Sequence, residues 1–264
     1  MLNKKLLPAA VATALLAGTS MVQAEEPAIV TGDELVGGFE ISGNVALTTD
    51  YRFRGISQSD EDIAVQGGFD AEFGPGFYVG IWGSSVDFDT NGDCCDGSLE
   101  LDYYGGWASS IGDTDFGIDI GYAYYDYPGD SGDEGDYQEV YVSGSWKDLA
   151  IGVHYSDDYY LESDEFWYVY GDYSLGLFDT GLTLDLHVGY NMLEEATFDS
   201  DGEYVEGFLS SDEDAYTDYS VTLTYTWASV DWSLAYVGTD LDEEDLFDTD
   251  WAEDTVVFTI AKSL

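Results

Sequence analysis

Hydrophobic and polar residues alternate along most of this chain, most plainly over residues 42–59, SGNVALTTDYRFRGISQS. Ile41, Val45, Leu47, Tyr51 and Phe53 share one parity; Ser42, Asn44, Thr48, Asp50, Arg52 and Arg54 share the other. Period two over a dozen residues predicts a strand with one apolar and one polar face. Soluble strands usually run to about five or six residues, whereas a tilted membrane-spanning strand needs roughly nine to eleven. Length favours a spanning strand.

The same alternation recurs to the C-terminus and predicts strands at 39–54, 63–73, 77–88, 99–108, 115–126, 137–146, 149–159, 165–175, 180–192, 216–227, 230–239 and 255–263. Short turns follow the even-numbered strands, and longer acidic connections (55–62, 89–98, 127–136, 160–164, 193–215 and 240–254) follow the odd ones. An even strand count with segregated turns and loops predicts an all-β fold, a transmembrane antiparallel barrel of about 12 strands of the outer-membrane type. Aromatic residues agree. Phe73, Phe77, Trp107, Phe116, Trp146, Trp227 and Trp232 flank the short turns. Tyr51, Tyr103, Tyr122, Tyr124, Tyr155, Tyr168, Tyr190, Tyr219 and Tyr236 gather at the loop-side ends, so two interfacial belts are expected.

Parity separates a lipid face from a lumen. Outward fall Leu99, Leu101, Tyr103, Phe116, Ile118, Ile120, Tyr122, Leu182, Leu184, Leu186, Val188, Val221, Leu223 and Tyr225. Charge on that side costs a few kcal/mol at mid-depth, so the acidic alternates must face inward. The expected pore lining is Asp50, Arg52, Arg54, Asp70, Glu72, Glu100, Asp102, Asp119, His154, Asp185, His187, Asp218 and Asp231. Strands three, six and eight alternate less clearly and receive no faces.

Composition sharpens the electrostatics. The 264 residues carry Asp+Glu 55 against Lys+Arg 6, a net charge of -49. Such a chain repels nucleic acid and attracts cations, while its Tyr 22, Trp 7 and Phe 13 argue against disorder. Residues 1–24 read as a cleaved signal peptide: Lys4 and Lys5 precede an apolar core, and Val22-Gln23-Ala24 ends it. Residues 25–38 read as a flexible mature N-terminus, and 39–264 as the barrel. Cys94 and Cys95, the only cysteines, are adjacent and close almost no loop, so no disulfide framework is expected.

The run SGNVALTTDYRFRGISQSD, followed by AVQGGFD, GFYVGIWGSSVDF, LDYYGGW and GYAYYDYPG, resembles the proteobacterial family called TorF or Gcw_chp. The resemblance extends from about residue 41 to the end. It implies an outer-membrane barrel of the porin type whose solute is not settled. The chain ends on Leu264, where such barrels commonly carry an aromatic residue.

Three constellations bear on chemistry. Asp87-x-Asp89-x-Asn91-Gly92 copies the first half of a calcium loop, but Ser98 occupies the position that needs glutamate, so an acidic surface loop is expected. His154 and Ser156 share a face, as an outer-membrane esterase would need, yet lie roughly 7 Å apart along a strand and lack a Gly-x-Ser-x-Gly elbow. Arg52 and Arg54 are the only arginines. They either pair with carboxylates on strands two and twelve, the main reading, or form a constriction for anionic solutes. The expected function is a narrow, cation-preferring passive channel for small solutes, with no catalysis and no cofactor. Its expected surroundings are outer-membrane lipid and lipopolysaccharide. A plugged barrel with a structural or surface role and, further off, an esterase are the alternatives.

Overall fold

The computed structural model describes residues 39–88, 97–112, 114–129, 135–200 and 204–264. Twelve strands form one closed barrel: β1 Phe39–Thr48, β2 Ala64–Phe73, β3 Phe77–Ser85, β4 Leu99–Ser110, β5 Phe116–Asp126, β6 Tyr137–Trp146, β7 Leu149–Ser156, β8 Phe166–Gly176, β9 Leu182–Met192, β10 Ala215–Trp227, β11 Val230–Thr239 and β12 Thr255–Ser263. Each strand pairs antiparallel with its neighbour in sequence, and β12 returns to β1. The barrel, its strand number and the segregation of short turns from long loops are as expected. The expected leader, the flexible N-terminus, Cys94, Cys95 and the calcium-like stretch at Asp89, Asn91 and Gly92 lie outside the described residues.

Apolar side chains of the outward parity are exposed all round, including Val45, Phe69, Val79, Ile120, Val142, Ile151, Val188, Val221 and Leu234. A barrel immersed in hydrocarbon shows this inverted distribution, because lipid replaces the missing apolar partner. At the short-turn end Phe73 stacks on Phe77 at 6.1 Å, and Phe116 on Trp146 at 6.0 Å, each across one strand pair.

Strands three, six and eight resolve into faces once the interior is seen to be aromatic. Inward point Tyr78 and Trp82 of β3, Tyr137 and Tyr141 of β6, and Phe166, Tyr168 and Tyr170 of β8, all buried. These rings need room, and glycine on the adjacent strand provides it. A Cβ at Gly121 would run into the Tyr141 ring, and one at Gly152 into the Tyr170 ring. Substituting valine at either glycine is expected to cost about 1–3 kcal/mol by overpacking. The barrel's unfolding midpoint in detergent measures it, with the exposed Gly144 as control.

Three expectations need correction. Strand one does not run to Arg54: β1 ends at Thr48, and residues 50–59 fold into the barrel mouth. Within that segment Arg52–Phe53 pairs with Ile56–Ser57 across a two-residue turn. Arg54 (φ 50) and Gly55 (φ 86) are both left-handed there, as the tight hairpin turn matching strand twist requires. Tyr51 and Tyr168 are not in the outer belt. They are 1% and 5% exposed, both inside. Strand three also stops early, at Ser85.

Candidate functional site

The interior is the candidate site, and the inward hairpin divides it. In the long-loop half, Tyr51, Ile56, Tyr125, Tyr127, Tyr137, Tyr159, Phe166 and Tyr216 are buried in one cluster. Tyr125 stacks on Tyr137 at 4.3 Å, and Tyr159 on Phe166 at 4.0 Å. This aromatic layer fills the mouth around the hairpin.

Arg54, at the hairpin tip, enters the layer. Its guanidinium grips the Glu139 carboxylate of β6 with two contacts, 2.7 and 2.8 Å, and reaches the Tyr159 hydroxyl at 3.3 Å. It also lies over the rings of Phe53, Phe166 and Tyr168 at 4.5–4.7 Å. Burial works against this charge, but Glu139 outweighs it and holds Arg54 firmly protonated. Glu139 also takes His154 Nδ1 at 2.8 Å and accepts from the Tyr125 hydroxyl at 3.3 Å. Bidentate geometry and ring stacking are what guanidinium does and ammonium cannot.

Arg52 performs a different task. It pairs with Asp50 at 2.5 Å and Glu61 at 2.8 Å. It also donates to the carbonyls of Gly55, Trp251 and Glu253 at 3.2, 2.6 and 3.1 Å. Asp50 accepts further from Ser57 and Ser59. Arg52 thus ties the hairpin to the loop before β12. The arginines therefore form ion pairs, as the main reading held, but with Asp50, Glu61 and Glu139 and not with strands two and twelve. Neither guanidinium is free to form an anion-binding constriction.

The remaining expected residues also sit on the inner wall. Glu100 accepts from the Tyr51 hydroxyl at 3.2 Å, and Asp102 lies beside it, each 1% exposed or less. Burial, followed by the Glu100 and Asp102 charges, pushes the Tyr51 phenol well up, so it stays a donor. His187 lies between two carboxylates, with Nδ1 2.6 Å from Asp172 and Nε2 2.9 Å from Asp218 and 2.8 Å from the Tyr168 hydroxyl. Asp218 also accepts from Asn191 and Tyr168. Asp70 accepts from Tyr104, Asp119 from Tyr78, Asp185 from Ser174 and Asp231 from Thr226. Glu72 is half-buried near the short-turn rim. The site thus unites Arg54 with His154 through Glu139, and His187 with Asp218. Asp70, Asp119, Asp185 and Asp231 are each capped separately by a neighbouring hydroxyl.

Sequence reading missed Glu139 and Asp172, which lie on the two acidic strands left without faces. The signal was present: Val140 and Val142 occupy the parity opposite Glu139. Ser156, the nucleophile that the esterase alternative would need, donates to the Asp158 carbonyl at 2.9 Å, while His154 turns to Glu139. Those hydrogen bonds assemble no nucleophile–base pair.

A family model described as "Bacterial protein of unknown function (Gcw_chp)" matches residues 33–264. No curated protein matches the sequence. Among solved structures, the KdgM porin shares 9% identity at a TM-score of 0.50, covering 84% of this chain and 97% of its own. The NanC porin shares 13% identity at 0.47, covering 84% and 98%. OprD of Pseudomonas aeruginosa shares 9% at 0.43, covering 86% and 67%. At such identities the likeness is one of fold.

Proposed function

This chain belongs to the Gcw_chp family, and from that premise we propose that it is an outer-membrane barrel forming a narrow, cation-preferring passive channel for small solutes. Its long loops face outward and its short turns face the periplasm. The observation that carries this is the inner wall's charge. Asp70, Glu72, Asp119, Asp172, Asp185 and Asp231 line the short-turn half, and among the described residues its only inward basic group is His187. Arg52 and Arg54 are neutralised where they stand. Excess carboxylate on low-dielectric walls enriches cations along the path. The fold's likeness to porins is compatible with this reading and does not specify a solute.

Purified barrel in planar bilayers should give a reversal potential of cation-selective sign under a potassium chloride gradient. Asp119→Asn combined with Asp185→Asn should reduce that preference severalfold. Anion preference in the unmodified protein would refute the reading. A second reading, a plugged barrel with a structural or surface role, is favoured by the filled long-loop half. It predicts silence in the same bilayers.

A further inference from the structure

Glu100 and Asp102 form a buried carboxylate pair that nothing in the described interior neutralises. Both project inward from β4 near the barrel mouth, at 1% and 0% exposure. Tyr51 satisfies one oxygen, Glu100 Oε1. The other three, Glu100 Oε2 and both Asp102 oxygens, are buried and have no hydrogen-bond partner. The two side chains project from the same face of β4, two residues apart. Neither arginine serves them: Arg54 is occupied by Glu139, and Arg52 by Asp50, Glu61 and backbone carbonyls. Uncompensated charge of this kind does not persist in a low-dielectric site. It takes a counter-ion or a proton.

We propose that Glu100 and Asp102 bind a divalent cation of the calcium class inside the barrel. Three hard carboxylate oxygens on one face of the strand are buried without a donor, and their two formal charges match one divalent ion. Calcium accepts irregular oxygen shells of about six to eight ligands completed by water, whereas magnesium demands near-ideal octahedral geometry. Trp82 and Tyr125, the register partners of Asp102 on either side, and Tyr51 wall the site with rings. This inference does not rest on conduction. A silent barrel would hold the ion equally well.

The test uses the full-length barrel refolded with calcium chloride, then passed over chelating resin in concentrated sodium chloride to strip ions from exposed loops. About one calcium per barrel should survive, by elemental analysis. Asp102→Asn and Glu100→Gln should each lose it. A triple change at the exposed carboxylates Glu243, Asp250 and Glu253, which approach one another at the surface, should retain it. Terbium in place of calcium should luminesce through Trp82, and Trp82→Phe should dim it severalfold.

Calcium retained equally by the Asp102→Asn barrel would place the ion elsewhere and overturn the proposal. A folded wild-type barrel that retains none would mean that the pair shares a proton, which also overturns it. Should the carboxylate variants fail to fold, terbium emission indifferent to Trp82→Phe is decisive against the site.

Discussion

Replacing Arg54 with alanine is expected to destabilise the barrel by about 3–5 kcal/mol, the cost of leaving one member of a buried ion pair behind. Glu139 would remain fully buried beside His154 with its guanidinium gone, and four rings would lose the cation they surround. Loss of the heat-resistant folded band at lower temperature, followed by electrophoresis, measures the effect. Arg54→Lys should recover little of it, because an ammonium cannot bond both Glu139 oxygens or stack on Phe166 and Tyr168. The double change Arg54→Met with Glu139→Gln should be milder than Arg54→Ala alone, since it removes the stranded charge. Full rescue by lysine would show that charge alone matters at this position.

The second large effect concerns conduction. Exchanging residues 50–59 for a short glycine–serine connection removes Tyr51, Ile56 and both arginines from the mouth. Twelve strands lie between eight-stranded barrels filled by side chains and sixteen-stranded barrels with an aqueous channel. An interior relieved of its inserted hairpin should therefore conduct severalfold more. The preference for cations should rise too, because Glu139 loses its partner while the wall keeps its carboxylates. Single-channel recordings decide it, with retention of the heat-modifiable band as the folding control. Unchanged conductance in a folded variant would show that the hairpin does not limit the path.

Much of this architecture could be read from the chain because lipid and water impose opposite demands on alternate residues. Leu182, Leu184 and Leu186 against Asp185 and His187 leave one arrangement open. The same rule fails on β3, β6 and β8. There the inward residues Tyr78, Tyr141 and Tyr170 are as apolar by class as the outward Val79, Val142 and Val169. A phenol fills space like a phenylalanine and hydrogen-bonds like a serine, so period two loses its contrast.

The hairpin was hidden for another reason. Tyr51-Arg52-Phe53-Arg54 continues the alternation of β1, and only Gly55 marks the turn. Its left-handed neighbour is an arginine, where asparagine, aspartate or glycine is usual. Tertiary contacts to Glu139 and Tyr159 hold that residue in place, and a single chain of letters does not display them.

The ties of Arg52 have a consequence for the order of assembly. The seam between first and last strands runs in register only from Asn44↔Ser263 to Thr48↔Thr259. Beyond it, Thr49 N donates to the Phe258 carbonyl and Ser57 N to that of Trp251, and Arg52 bonds Trp251 and Glu253. Partners some two hundred residues apart cannot meet until nearly the whole polypeptide has been made and inserted, and such distant pairings form late. Closing the cylinder and seating the hairpin are thus one event. Until β12 docks, the nascent barrel has an open side and an empty mouth. Once it docks, the clasp that completes the wall also occupies the doorway.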